Sequence, residues 1–162
     1  MNRGVDWLRY TGQAPPGPGE EWPAGGNIGL ATSRDGVEFT RVPGTPYSIV
    51  SLTSGVNPVM RPDLEWERYN AVMTPSIIVL ENDILRMYYS GGESEEPDVI
   101  GVAHSFDWGR TWVKHGDPVF LPDPTTTWDN WKVTAPHIVV HEGWYYMFYC
   151  GFRGNIDFIS RL

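Results

Sequence analysis

Residues 135–151 read APHIVVHEGWYYMFYCG, and the chain uses the same plan twice. An apolar run, a polar turn at His141-Glu142-Gly143 and an aromatic run predict a β-hairpin. Residues 74–91, TPSIIVLENDILRMYYSG, repeat this order of elements, with a proline near the start and a glycine at the end of each copy. An internal repeat of this length predicts a fold built from copies of one sheet unit.

A Tyr-x-Gly junction that leads, after a loop, into a strand opening with isoleucine occurs three times. The loops between these strands differ in length and composition, which is typical of a repeat architecture with variable connections. The three tyrosines and the three isoleucines that follow them are Tyr10, Tyr89, Tyr149, Ile28, Ile100 and Ile156.

Two Ser-x-Asp turns follow, at residues 33–39 and 105–112. An aspartate in such a turn accepts hydrogen bonds from nearby backbone N–H groups, and the next aromatic residue packs over it. The second copy, S-x-D-x-G-x-T-W, matches the Asp-box turn of sialidases and related propellers. That turn is structural in those families, so we interpret Asp107 as a turn residue.

The strands in order predict an all-β chain, a partial β-propeller of about two and a half four-stranded antiparallel blades. We predict one domain over residues 1–162. It divides into an incomplete blade, a proline-rich linker with room for an extra hairpin around Tyr47–Leu52, a full blade and a second incomplete blade. These four segments are residues 1–42, 43–70, 71–118 and 119–162.

Composition limits the function classes. The formal net charge of −8 argues against nucleic acid or an anionic membrane as partner and fits a neutral ligand such as a sugar. The single cysteine, Cys150, excludes an internal disulfide, and we predict a packed, inert thiol. The N-terminus shows no apolar signal segment, so we expect a soluble, cytoplasmic chain. The sequence indicates no cofactor and no metal, and the acidic run Glu93–Asp98 is interpreted as a solvated loop.

Three motifs carry a resemblance to a known group of proteins. Residues 135–149 resemble A-P-D-V … G-x-Y-Y-L-Y-Y, and residues 28–36 resemble I-G-x-A-x-S-x-D-G. An aromatic-acidic pair, Trp66-Glu67 or Trp128-Asp129, precedes the strand that begins the full blade and the strand that begins the last blade. We call these two strands the first strands of their blades. These motifs are similar to those of the five-bladed β-propeller glycoside hydrolases, which include the arabinanases and xylosidases of family 43 and the invertase relatives of family 32.

The resemblance implies a central funnel with catalytic carboxylates near the start of the first strands. His137 stands where the family has an aspartate after Ala-Pro, and Thr74 and Ala135 stand where it has an aspartate before proline. The candidate catalytic residues are His137, Glu67 and Asp129. Alternatively, His137 packs at the funnel wall and the two acids are loop residues or backbone-capping acceptors. The candidate substrate-binding residues are Trp66, Arg68, Trp128, Trp131, Lys132 and Thr74, with inter-blade packing as the alternative for the tryptophans.

Three functions remain open at this point. The first is a carbohydrate-binding relative of the propeller glycosidases, which hydrolyses a saccharide if assembly completes the site. The second is a non-catalytic propeller module for oligomerisation or saccharide binding, and the third is a truncated fragment without enzymatic activity. Because half a propeller leaves open blade edges, we expect a homodimer that closes a pseudo-five-bladed ring.

Overall fold

A computed structural model describes residues 6–13, 26–42, 58–67, 71–92 and 97–154, which form nine strands in three antiparallel sheets. These ranges contain one 3-10 turn, Glu81–Asp83, and no α-helix. No helix within them is long and apolar enough to cross a membrane.

The three sheets follow one another along the chain, and each is a meander in which neighbouring strands pair. Their strands are listed here in chain order. The first sheet contains β1 (Asp6–Gln13), β2 (Gly26–Ser33) and β3 (Thr40–Arg41). The second contains β4 (Ala71–Val79), β5 (Leu85–Gly92), β6 (Pro97–Ser105) and β7 (Val113–Lys114). The third contains β8 (Lys132–His141) and β9 (Trp144–Phe152).

The predicted fold class, an all-β partial propeller, is confirmed. The first sheet supplies the second to fourth strands of a blade, the second sheet is a full blade, and the third sheet supplies a first and a second strand. The predicted strand at Ile156 and the hairpin around Tyr47–Leu52 lie outside the described residues. The single-domain division stays a prediction.

The hydrophobic core lies mainly between the first two sheets. Alternation along β5 buries Leu85, Met87 and Tyr89 on one face, and β2 and β6 contribute matching apolar residues. Burial of such side chains is the main favourable term in folding. The core cluster consists of Ile28, Leu30, Val59, Met60, Val72, Met87, Tyr89 and Ala103.

The two ends of the sheets differ in the kind of loop they carry. Because consecutive strands run in opposite directions, the β4–β5 and β8–β9 turns and both Ser-x-Asp turns lie at one end. The β5–β6 loop and the links that lead into β4 and β8 lie at the other end, which we call the entry end. The first strands therefore start at the entry end, at Ala71 and Lys132.

One prediction about the last sheet is wrong. Cys150 is exposed rather than packed. It lies on the face of β9 that points away from the second sheet, together with Trp144, Tyr146, Phe148 and Phe152, which are all exposed. Strand alternation places these residues on one face, and no described element covers that face.

The first Ser-x-Asp turn is held by the side chain of Asp35. Its Oδ1 accepts hydrogen bonds from the backbone N–H groups of Val37 and Glu38, both at 2.9 Å, and from the Ser33 hydroxyl at 2.8 Å. These bonds lower the pKa of Asp35 from 3.8 to about 2. Asp107 plays the same part in the second turn and accepts from the N–H groups of Arg110 and Thr111.

Asp35 should therefore make the protein more acid-sensitive between pH 3.8 and about 2. Its depressed pKa adds stability that is present above the unfolded-state pKa and is lost as the pH falls through the folded-state pKa. We expect Asp35→Asn to flatten the fall in urea midpoint over this window. Glu81→Gln, an exposed carboxylate in the 3-10 turn, serves as the control. An unchanged pH profile for Asp35→Asn would contradict the assignment.

Candidate functional site

The links that lead into β4 and β8 correspond over a longer stretch than the aromatic-acidic pair noted in the sequence. Each link bridges first to the preceding sheet: Met60 pairs with Ile28, and Phe120 pairs with Ile100. The hydrogen bonds correspond, with Ile28 N–H to the Met60 carbonyl and Ile100 N–H to the Phe120 carbonyl both at 3.0 Å. The sequence feature that predicts this correspondence is the similarity of V-M-R-P-D at residues 59–63 to V-F-L-P-D at residues 119–123.

In the first link, Glu67 is a buried acceptor. Its Oε2 accepts from the backbone N–H groups of Asp63 at 2.7 Å and Leu64 at 3.0 Å, and from Lys114 Nζ at 2.7 Å. Its Oε1 accepts from the Tyr89 hydroxyl at 2.8 Å. Burial and the adjacent Glu67 carboxylate raise the pKa of Tyr89. Glu67 is only 3% exposed, so it acts as the backbone-capping acceptor that the sequence left open as an alternative.

Trp66 packs against Tyr89, the tyrosine that donates to Glu67. Its ring stacks on Tyr89 with a centroid separation of 5.8 Å and an interplanar angle of 25°. Gly91 allows this approach, because a Cβ at that position would lie 2.5 Å from Trp66 Cζ3. The indole N–H donates to the Gly116 carbonyl at 2.9 Å. These contacts pack the link against the sheet that it leads into; inter-blade packing, the alternative for the tryptophans, stays a prediction.

The second link repeats the arrangement with an aspartate. Asp129, 4% exposed, accepts from the Tyr149 hydroxyl at 2.8 Å and from the Thr126 hydroxyl. Trp128 stacks on Tyr149 at 5.4 Å and 29°. Burial, followed by the hydrogen bond to Asp129, raises the pKa of Tyr149 to about 12. We call each set of tryptophan, acid and tyrosine a latch, because it fastens a link to the second strand of the next sheet.

Of the other predicted residues, the structure brings Trp131 and Lys132 into contact. Trp131 is 49% exposed, and Lys132 is buried with its Nζ 4.4 Å from the Trp131 ring centroid. His137 is exposed on β8 opposite Phe148, past a bulge in the strand. Arg68 lies outside the described residues. The catalytic and substrate-binding roles of these residues stay predictions.

Both first strands contain a bulge at the same place, just before the proline. The register shifts between Met73 and Ser76 in β4 and between Thr134 and His137 in β8. Thr74 has a φ of 48° and Ala135 a φ of 52°. A positive φ is a true outlier for a β-branched residue such as threonine, and such strain is held in place by surrounding contacts.

Those contacts are hydroxyl groups from all three sheets, which we call the hydroxyl cluster. Ser90 Oγ lies 2.6 Å from Thr74 Oγ1 and accepts from the Thr134 hydroxyl at 3.0 Å and the Ala135 N–H at 2.9 Å. The Thr74 N–H donates to Thr11 Oγ1 at 2.9 Å. Ser90 is fully buried, whereas Thr74 is exposed. The cluster therefore presents neutral donors and acceptors beside Thr74 and Ala135, where the resemblance implies aspartates.

Metal chemistry finds no support in the part of the chain that the structure describes. No group of three or more His, Cys, Asp or Glu side chains within it is arranged to hold a metal ion. Residues 93–96 of the acidic run lie outside the described ranges. Asp98 lies on β6.

With the fold and the hydroxyl cluster defined, the chain can be compared with known proteins, and the proteins it resembles are mainly glycoside hydrolases. No protein-family profile matches the chain. Over 149 residues it is 30% identical to "Acid beta-fructofuranosidase 2, vacuolar" of a Rosa hybrid cultivar, covering 79% of this chain and 20% of that protein. The chain thus spans about a fifth of this curated relative. The resemblance to propeller glycoside hydrolases is confirmed.

Solved structures show the same fold at low identity. Zg3597, a family 117 glycoside hydrolase of Zobellia galactanivorans, has a TM-score of 0.66 at 20% identity over 92% of this chain and 45% of its own. A structure reported for the family 130 mannoside phosphorylases and hydrolases has a TM-score of 0.58 at 20% identity. The match covers 93% of this chain and 41% of that protein. An N-acetylgalactosamine deacetylase from F. plautii has a TM-score of 0.59 at 16% identity. The match covers 91% of this chain and 37% of that protein.

Removing the Tyr89 hydroxyl should destabilise the chain by about 1.5–3 kcal/mol, the usual range for a hydrogen bond to a charged group. Tyr89→Phe leaves the buried Glu67 carboxylate one donor short. Tyr146→Phe is the matched control, because Tyr146 is 48% exposed, and it should change the free energy of unfolding by less than about 0.5 kcal/mol. Urea unfolding measures both values. Equal effects of the two variants would show that the first latch contributes no stability.

Proposed function

We propose that the chain binds a neutral saccharide at the entry end of its first strands, through the hydroxyl cluster. The observation that carries this proposal is the pair of matching bulges at Thr74 and Ala135. Saccharides are recognised by a small number of well-placed polar groups together with aromatic surface. The fold supports the ligand class, because its solved neighbours include glycoside hydrolases and a deacetylase in complex with a trisaccharide.

We further propose that this binding is not accompanied by hydrolysis in the chain alone. A glycosidase needs two carboxyl groups about 5–10 Å apart on either side of the scissile bond. Glu67 and Asp129 are buried, and both oxygens of each carboxylate accept hydrogen bonds within the chain. Hydrolysis would therefore need carboxylates that assembly brings to the site.

A homodimer is the assembly that we propose. The net charge of −8 does not favour association, so a specific contact must drive it. The third sheet has two described strands and leaves one edge of β9 without a described neighbour. An unpaired edge is a template for association with another chain.

Thr74→Val should weaken saccharide binding about tenfold or more while keeping the fold. Valine has the shape of threonine and lacks the hydroxyl, and the buried partner groups of a polar site discriminate strongly against such a loss. Thr40→Val, an exposed threonine on β3, is the matched control. Titration calorimetry against fructo-oligosaccharides, mannosides and an N-acetylgalactosamine-containing trisaccharide measures the affinity.

Three outcomes would contradict the proposal. If the unmodified chain binds none of these saccharides at millimolar concentration, the binding function is wrong. If it releases nitrophenol from nitrophenyl glycosides, and Glu67→Gln or His137→Ala abolishes this release, the chain is a hydrolase on its own. Equal affinities for Thr74→Val and Thr40→Val would place the ligand elsewhere.

A further inference from the structure

Arg86 and His104 form a hydrogen-bonded pair across the second sheet, at the end of the sheet opposite the entry end. The two residues lie directly opposite each other in the register of β5 and β6. Arg86 Nε lies 2.8 Å from His104 Nε2. Both residues are partly buried, so the pair is only partly hydrated.

The direction of this hydrogen bond determines the charge of the imidazole. A guanidinium is protonated at every relevant pH and can only donate, so His104 Nε2 is the acceptor. A ring nitrogen that accepts a hydrogen bond carries no proton. His104 is therefore neutral in this arrangement, with its single proton on Nδ1. A proton on Nε2 would place two donors and two positive charges against each other.

The groups around the imidazole oppose its protonation. His115, which follows β7, is a second basic group near His104, and within the described residues no carboxylate pairs with the ring. Burial, the positive charge of Arg86 and the nearby His115 together lower the pKa of His104 below its ordinary value of 6.5. The geometry and the surrounding charges therefore favour the same neutral state.

The third sheet packs on this side of the second sheet and adds one titratable group to the pair. Arg86 Cζ lies 5.6 Å from the ring centroid of Tyr145 on β9, which is within the range of a cation–π contact. The titratable side chains of β8 lie elsewhere. Alternation places His137 and His141 on the face that points away from the second sheet, and Lys132 lies at the entry end.

Arg86 thus connects β6 of the second sheet to β9 of the third sheet. It donates to His104 on one side and lies over Tyr145 on the other. In the first sheet, the matching position of the ladder has Trp7 opposite Thr32. The repeated fold therefore does not require an arginine and a histidine at this position, and the pair is particular to the second sheet.

We propose that His104 is a proton-sensitive switch for the contact between the second and third sheets. Neutral His104 accepts from Arg86 and so holds the guanidinium over Tyr145. Protonated His104 offers no acceptor and repels Arg86, because two like charges at this distance in a partly buried site are strongly unfavourable. The guanidinium then leaves the Tyr145 ring, and the β8–β9 hairpin loses this contact near its turn.

The stability of the chain should fall as the pH drops below 6.5. Because the pKa of His104 is lower in the folded chain, the unfolded chain binds more protons between the folded-state pKa and 6.5. For one proton, the unfolding equilibrium constant should rise by up to about tenfold for each pH unit of this window. Urea unfolding between about pH 5 and 8 measures the change.

His104→Gln should remove this part of the pH dependence, since the glutamine amide oxygen can accept from Arg86 and does not titrate. His141→Gln is the matched control and should keep the dependence, because His141 lies in the β8–β9 turn with a 69% exposed side chain. Equal pH profiles for His104→Gln and the unmodified chain would refute the switch.

Nuclear magnetic resonance of the four histidines supplies a readout that a merely structural role would not move. We expect nitrogen-15 spectra at neutral pH to show the Nδ1–H tautomer of His104, and we expect this residue to titrate below pH 6.5. The ring signals of Tyr145 should shift with the same midpoint. Arg86→Leu removes the donor and the nearest charge, so the midpoint of His104 should rise.

An Nε2–H tautomer at neutral pH would overturn the inference, as would a His104 midpoint at or above 6.5. Tyr145 signals that do not follow His104 would refute the effect on the third sheet. If either variant fails to fold, the tautomer and the two midpoints of the unmodified chain still decide. Every measurement is made without saccharide, so its outcome is independent of the proposed binding function.

Discussion

The latch at Glu67 is the interaction on which the arrangement of the sheets depends. Glu67 is only 3% exposed, and a buried carboxylate is costly unless its charge is compensated. Here two backbone N–H groups, the Tyr89 hydroxyl and Lys114 compensate it together. Lys114 lies on the fourth strand of the blade, so the charge pair joins the link before a blade to the strand at its outer edge.

The two latches share a hydrogen bond between a tyrosine and a carboxylate, and their other donors differ. Asp129 and Tyr149 repeat the hydrogen bond of Glu67 and Tyr89. Glu67 also accepts from Lys114 on the fourth strand, and Asp129 accepts from the Thr126 hydroxyl. In the first sheet, Arg41 pairs with Ala31 as Lys114 pairs with Ala103, and Arg41 is exposed. The ladder position of Lys114 is therefore occupied by a basic residue in the first sheet as well.

The sequence predicted the strands well because their signals are local. Two hairpins, two Ser-x-Asp turns and the Tyr-x-Gly junctions each depend on a few adjacent residues with defined backbone demands. The latches were not predicted, because Glu67 and Tyr89 meet only after a link and a strand have packed together. The carboxylates that resemble catalytic groups in a linear motif are the same ones that packing encloses. Burial of Cys150 was predicted wrongly for a related reason, since an aromatic strand does not show which of its faces has a neighbour.

Hydroxyl groups stabilise the bulges of both first strands near the entry end. Thr74 and Ala135 both keep a left-handed φ near 50°, although neither residue favours it. Ser90 stabilises both bulges at once, through the Thr74 hydroxyl on one side and the Ala135 N–H on the other. The geometry of the site is therefore held by a buried neutral side chain between two sheets. Strain of this kind persists only where surrounding contacts hold it in place, and here it occurs at the same position of β4 and β8.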